Sequence, residues 1–282
     1  MTSGSTPAPL PRTAAGQAGL AALLARPDRA VVALDFDGTL APIVPDPTAA
    51  RAHPAALSAL ARLTPRLDSV VVVTGRPATL AVEYAGLAAF VGGAGRVTVL
   101  GQYGLERWDS TTGRLVTPLV APAVAAARTA LPAVLAAVGL ADQVWVEDKG
   151  QAFAVHTRRA PDPVAAFDRL TGALDQLAAA HGLLLEPGRL VLELRPQGVD
   201  KGVALTDYLT ERSAGAVLYA GDDLGDLPAF AAVERLRSTG VPGVTVCSGS
   251  AEVHAVADRA DLVVDGPAGV VDLLRWLGER VG

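Results

Sequence analysis

Five short, almost wholly apolar runs constrain this 282-residue chain more than any other feature: AVVALD at 30 to 35, SVVVVT at 69 to 74, AVLYA at 216 to 220, VTVC at 244 to 247 and DLVV at 261 to 264. Runs of this length bounded by turn residues are strands, and strands apolar at nearly every position need both faces covered. Ala/Leu-rich segments with helical spacing lie between them, at about 54 to 63, 77 to 87, 201 to 213, 226 to 236, 250 to 258 and 267 to 280. Strands alternating with helices predict an α/β fold, a parallel sheet with helices on both faces.

Residues 103 to 196 carry a different pattern. AFAVHT at 152 to 157 and LVLEL at 190 to 194 alternate apolar with polar positions, which predicts a sheet with one solvated face. Asp162 is placed to cap a helix that Pro163 opens, with Phe167, Leu170, Leu174 and Leu177 on one stripe. The reading is an inserted α+β domain over 103 to 196, a discontinuous core over 16 to 102 and 197 to 282, and a flexible tail over 1 to 15.

The net charge of −5 and pI near 5.4, with no dense basic run, argue against a nucleic-acid partner. The longest apolar stretch, 119 to 141, holds Arg128 at its middle together with Pro122 and Pro132, so a kinked helix off the membrane fits it better than a span. Residues 1 to 15 lack the features of a signal peptide, and a cytoplasmic location is the expectation. Cys247 is the single cysteine and reads as a buried small residue.

The chemistry-bearing residues fall at the C-terminal ends of the apolar runs, where open α/β sheets place ligands. The first run enters DFDGTL, with Asp35 and Asp37 two apart ahead of Gly38. The second ends in Thr74, Gly75 and Arg76. AVLYA enters GDDLGD, with Asp222, Asp223 and Asp226. A lone aspartate after a strand is a turn former or a cap, and for Asp226, just ahead of LPAFAAVERL, capping and function stand equal. Two carboxylates at 35 and 37 exceed what a cap requires. Like charges about 4 Å apart repel by roughly 4 kcal/mol at an effective dielectric of about 20. Such a cluster takes up a divalent cation or keeps protons, and all-oxygen ligands favour Mg²⁺ over zinc.

Lys149 and Lys201 are the only lysines, each inside Asp-Lys-Gly. Lys201 opens the helical pattern GVALTDYL, at the positive end of the helix dipole, where a bound anion offsets the unfavourable cation. A compact ammonium suits a phosphoryl group as a point-charge partner, and Gly202 lets backbone approach closely. The plainer alternative, an exposed first-turn lysine, costs only a few tenths of a kcal/mol.

DFDGTL, the threonine of VVVTGR, the lysine of VDKG and GDDLGD, in this order, resemble the four motifs of the haloacid dehalogenase-like phosphohydrolases. That resemblance implies a Rossmann-like core with an inserted α+β cap. It also implies Asp35 as nucleophile, Asp37 as general acid and base, and Thr74 and Lys201 as holders of the transferring phosphoryl group. Mg²⁺ would lie on Asp35, the Asp37 carbonyl and Asp222, with Asp223 or Asp226 in or near its shell. Within the insertion, VEDKGQAFAVHTR is similar to the cap motif of the trehalose-6-phosphate phosphatases, as are LELRPQGVDKG and GQYGLE to segments of that family. The likeness covers about residues 30 to 282. It implies a sugar-phosphate substrate contacted by Glu147, Lys149 and Glu193, with Gly38, Arg76, Arg195 and His156 as further candidates.

A weak association with the synthase that makes such a substrate is a further expectation of the same origin. Gly225, Leu227 and Tyr103 depart from the family pattern, which reads Thr, Glu and His there. Phosphatases of other sugar phosphates (sucrose 6-phosphate, glucosylglycerol phosphate, mannosyl-3-phosphoglycerate) and a non-catalytic sugar-phosphate sensor are the competing readings; the cap motif speaks against the first, the paired Asp35 and Asp37 against the second.

Overall fold

The computed structural model describes residues 10 to 249 and 254 to 281. In chain order its strands are β1 (Ala30–Leu34), β2 (Ser69–Val73), β3 (Val97–Gly101), β4 (Glu106–Asp109), β5 (Arg114–Val116), β6 (Trp145–Asp148), β7 (Phe153–His156), β8 (Leu183–Gly188), β9 (Val191–Pro196), β10 (Ala216–Gly221), β11 (Gly243–Gly249) and β12 (Leu262–Asp265). The α-helices are α1 (Ala14–Ala25), α2 (Ala56–Leu63), α3 (Ala78–Ala85), α4 (Pro122–Ala137), α5 (Pro163–His181), α6 (Lys201–Arg212), α7 (Leu227–Ser238), α8 (His254–Arg259) and α9 (Gly266–Arg280). Two compact units emerge, one from the chain up to Val116 together with the chain from Asp200 onward, the other from Thr117–Val199.

The first unit holds an eight-stranded sheet in the order β12, β11, β10, β1, β2, β3, β4, β5. Its first six strands are parallel. The apolar runs are apolar throughout because both faces are covered: Val32, Leu34, Val70 and Val72 pack with α1, α2, α3 and α9, while Val31, Ala33, Val71 and Val73 pack with α6, α7 and α8.

Two local expectations need correction, and a third lies partly outside the described residues. Residues 106 to 116, which alternation assigns to the insertion, instead extend the large sheet as antiparallel β4 and β5. A strand near the sheet edge that is buried on one face, as β4 is with Glu106 and Trp108 buried and Arg107 and Asp109 half-buried, has the same period as a strand of a separate sheet. Residues 10 to 15 are docked, whereas 1 to 9, the rest of the expected tail, lie outside the described residues. The Arg12 N–H donates to the Asp261 carbonyl at 2.6 Å, and Thr13 caps α1 while its hydroxyl bonds the buried Asp261 carboxylate. Local pattern cannot reveal a tie between residues so distant in sequence. Of the helix expected at 250 to 258, residues 250 to 253 lie outside the described residues.

The second unit is an antiparallel sheet in the order β6, β7, β9, β8. Helices α4 and α5 cover one face, where Phe153, Val155, Leu192 and Leu194 meet Val124, Leu131, Leu170 and Leu174. The Asp162 carboxylate accepts the Ala165 N–H at 3.0 Å, and Gly182 ends α5 at φ 65°. Among the described residues no helix is long and apolar enough to cross a membrane. The opposite sheet face carries His156, Glu193 and Arg195, and it is less solvated than the alternation implies. Glu193 and Arg195 are each 7% exposed because their charges are paired with Lys149 and Glu186.

Candidate active site

The strand order reverses between β1 and β10, the switch point at which open sheets leave a crevice beyond their carboxyl ends. Asp35 leaves β1 there and anchors its N–H on the Ala220 carbonyl at 2.8 Å. Gly38 follows with φ +73°, and a Cβ at that position would lie 2.0 Å from Asp222 Oδ2. Glycine is thus required both for the left-handed turn and for the close approach of the Asp222 carboxylate. From β11 the Ser248 hydroxyl donates to the Gly38 carbonyl at 2.6 Å, pinning the loop from the far side.

Lys201 begins α6, which Asp200 caps by accepting the Val203 N–H at 2.8 Å. Its side chain is buried, with Nζ 2.8 Å from Asp35 Oδ1 and 2.7 Å from Asp226 Oδ1. Burial works against the ammonium charge, but Asp226 and Asp35 outweigh it and hold its pKa well above the ordinary value. Burial pushes the Asp35 carboxyl well above its ordinary range; Lys201 opposes this, and Asp226 and Asp222 add to it. The close approach that Gly202 permits is to the Pro228 carbonyl, 2.3 Å from where its Cβ would stand, so this glycine serves the packing of α6 on α7 and not a ligand.

Asp35, Asp222 and Asp226 can bring one carboxylate oxygen each to within 4.8 Å of one another. Their roles nevertheless divide. Asp226, expected among the metal ligands or as a cap of α7, accepts from Lys201 Nζ and from the Tyr219 hydroxyl at 2.6 Å through Oδ1, and from the N–H groups of Asp222 at 2.8 Å and Asp223 at 3.2 Å through Oδ2. Both its oxygens are committed to protein donors. Asp222 is the reverse case, since its Oδ1 is buried with no hydrogen-bond partner among the described residues. Burial first, then Asp226 and Asp223, push the Asp222 carboxyl up to about 8. A buried acceptor without a donor, beside a second carboxylate, is the donor set of a hard cation. Asp223 lies exposed at the rim and caps the short turn Leu224–Asp226.

Thr74 and Arg76 leave β2 opposite Asp35. The Thr74 hydroxyl is buried and accepts the Arg76 N–H at 3.1 Å. Arg76, expected to contact substrate, forks onto both oxygens of Asp37. Sequence reasoning missed what holds this turn. The buried Glu106 carboxylate accepts the Ala78 N–H at 2.7 Å at the start of α3. Gln102 and Tyr103, both left-handed with φ 50° and 59°, donate their N–H groups to the Arg76 and Thr74 carbonyls, each at 2.9 Å. Two consecutive non-glycine residues in that region carry strain that the surrounding bonds maintain. Tyr219 and Ser248 were also missed; strand alternation marks both only as core.

Within the second unit, the candidate sugar contacts form their own pairs. His156 Nε2 lies 2.9 Å from Glu147 Oε2, and Lys149 bonds Glu193 Oε2. Glu193 Oε1 is buried with no hydrogen-bond partner among the described residues. Arg195 engages Glu186 at 2.6 Å and the Val199 carbonyl, which makes it a strut between β8, β9 and the following turn.

Comparison with known proteins places these residues in context. The profile of the trehalose-phosphatase family matches residues 33–265. The trehalose-phosphate phosphatase of Mycobacterium avium is 32% identical over 259 residues, covering 89% of this chain and 62% of the relative, so the chain spans about three-fifths of that protein's length. The C-terminal domain of Candida albicans trehalose-6-phosphate phosphatase superposes with a TM-score of 0.71 at 21% identity, covering 97% of this chain and 99% of that one. A haloacid dehalogenase-like hydrolase from Bacteroides thetaiotaomicron does so at 0.62 and 16% identity, covering 86% and 97%. At these identities the structural likenesses establish the fold, a haloacid dehalogenase-like α/β core with a separate antiparallel sheet.

Proposed function

This chain belongs to the trehalose-phosphatase family, and from that premise we propose that it hydrolyses trehalose 6-phosphate to trehalose and inorganic phosphate through an aspartyl phosphate on Asp35. The observation that carries the reading is the buried Asp35, Lys201 and Asp222 cluster at the switch point, with one Asp222 oxygen lacking a protein donor.

The Asp35 carboxylate attacks phosphorus, the bond from phosphorus to the sugar oxygen breaks, and Asp37, released from Arg76 as the phosphate binds and protonated from solvent, delivers that proton to the sugar oxygen. Asp37 then takes a proton from water as the water attacks the aspartyl phosphate, releasing phosphate and restoring Asp35. Lys201 donates one N–H to Asp226 and lies 2.8 Å from Asp35, which leaves its ammonium an N–H for a phosphoryl oxygen. The Thr74 hydroxyl and the N–H groups following Asp35 hold the remaining oxygens. Asp35, Asp222 and the Asp37 carbonyl would hold Mg²⁺, with Asp223 at the rim, and the bound ion supplies neutralisation of charge on the phosphoryl group. Asp226 serves behind them by fixing Lys201.

For the sugar, Glu147, Lys149 and Glu193 are the proposed hydroxyl ligands, supported by the buried Glu193 oxygen that lacks a partner. His156 orients Glu147, and Arg195 supports the sheet. Phosphate release from trehalose 6-phosphate, sucrose 6-phosphate and glucose 6-phosphate with Mg²⁺ tests the proposal. Preference for the first is expected; comparable rates on glucose 6-phosphate would overturn the specificity, and no release from any ester would overturn the activity.

A further inference from the structure

Lys201 reaches the nucleophile on a flexible four-carbon stem, so something must fix where its ammonium stands. Its other contact is Asp226 Oδ1, and that oxygen has a second donor, the hydroxyl of Tyr219 at 2.6 Å. Tyr219 is fully buried within β10, its ring edge-on to Phe230 at 5.9 Å between centroids and 81° between planes. The Asp222 and Asp223 N–H groups hold Oδ2. Asp226 is therefore held from two sides, by backbone on one oxygen and by the phenol on the other. Remove the phenol hydroxyl and Oδ1 keeps only the ammonium, which is then free to close on Asp226 and leave Asp35, 2.8 Å away on its other side.

We propose that Tyr219 is a positioning residue: through Asp226 its hydroxyl sets the Lys201 ammonium between Asp226 and Asp35, in register with the phosphoryl group. The proposal deepens the function above and rests on its assignment of Lys201 as a phosphoryl holder. Phenol and ammonium both donate to the Asp226 carboxylate, and the ammonium is ion-paired with the nucleophile; in this chain the ring supplies rigidity and the hydroxyl supplies placement.

The composition provides a direct test. Lys149 and Lys201 are the only lysines, so lysine-selective ¹⁵N labelling of the full chain gives two ammonium resonances, and Lys201→Ala assigns them. In Y219F the Lys201 resonance is expected to shift and exchange with water at least about tenfold faster while Lys149 is unchanged. On trehalose 6-phosphate and on p-nitrophenyl phosphate, kcat is expected to fall about tenfold with KM within twofold. Val233→Ala, buried in the same core cluster but with no ring contact to Tyr219, is the packing control and should lower the thermal midpoint with kcat unchanged. An unaltered Lys201 resonance in Y219F, or a loss confined to thermal stability, overturns the proposal. Should Y219F not fold, wild-type protein carrying 3-fluorotyrosine keeps the ring and alters the phenol as a donor; an unmoved Lys201 resonance there is equally fatal. Because the resonance needs no substrate, a wild type inert toward trehalose 6-phosphate would sink the function while the resonance still decides the placement.

Discussion

Arg76 and Asp37 meet in a two-pronged ion pair, Nε on Oδ2 at 2.6 Å and Nη2 on Oδ1 at 2.7 Å. The arrangement occupies both oxygens of the group proposed to hand a proton to the departing sugar. A phosphate dianion entering the site competes for the same guanidinium and frees the carboxylate as it binds.

Replacing Arg76 therefore disturbs binding and proton delivery together. Arg76→Ala is expected to lower kcat/KM by about 10² to 10³-fold, within the range for a compromised general acid. Arg76→Lys, a point charge that cannot span both oxygens, should recover only part of the loss. Steady-state kinetics on both variants, with equal activities for wild type and Arg76→Ala as the contrary result, checks this.

Loss of the proposed nucleophile gives a sharper outcome. Asp35→Asn is expected to cut phosphate release by roughly 10⁴-fold or more, the scale on which removal of a covalent nucleophile acts. Circular dichroism should show the fold intact. Acid-quenched protein incubated with ³²P-labelled substrate should carry label in the wild type and none in the variant.

The Asp222 carboxyl, pushed up to about 8 by burial and its acidic neighbours, sets a pH dependence for the metal-free protein. An unfolded aspartate titrates near 3.9, so between the two values the folded state binds the extra proton. Stability from this group is fully present below about pH 4 and is lost as pH rises through about 8. In chelator, the thermal midpoint should fall between about pH 5 and 8 and level off above that, and saturating Mg²⁺ should restore it. A midpoint that climbs with pH in chelator would contradict the assignment.

Substitution of Glu193 or Lys149 is expected to separate sugar recognition from chemistry. Glu193→Gln or Lys149→Ala is expected to raise KM for trehalose 6-phosphate by about 10 to 100-fold, the loss of one charged hydrogen bond of about 1.5–3 kcal/mol. Turnover of p-nitrophenyl phosphate, which has no sugar, should stay within twofold. Equal losses on both substrates would assign the pair to the structure of the second unit.

Legibility in the sequence followed the range of the interactions. Asp35, Thr74 and Asp222 stand out because strands apolar on both faces advertise their own ends, and a parallel sheet gathers those ends on one edge; Lys201 stands out as one of only two lysines, at the start of α6. What supports them does not stand out. Tyr219 reads as one more core residue of β10, and its hydroxyl acquires meaning only when α6 brings Lys201 alongside. Glu106 sits in a strand too short and too alternating to be told from the insertion, yet it closes the start of α3. Asp226 shows the converse, since GDDLGD marks it as acidic and important without revealing that its oxygens accept from Lys201, the Tyr219 hydroxyl and two backbone N–H groups.

The bond from Thr13 to Asp261 decides how far the protein can be shortened at its front. The Asp261 carboxylate is 2% exposed and also receives Arg237 and the Thr245 N–H, while the Arg12 guanidinium donates to the Ala260 carbonyl at 2.7 Å. Cutting ahead of residue 10 leaves this knot tied. Cutting behind residue 13 unties it, takes the cap from α1 and strips a donor from a sequestered charge. The sheet edge at β11 and β12 should then fray first, with the Ser248 pin on Gly38 the route by which damage at the far end reaches the nucleophile.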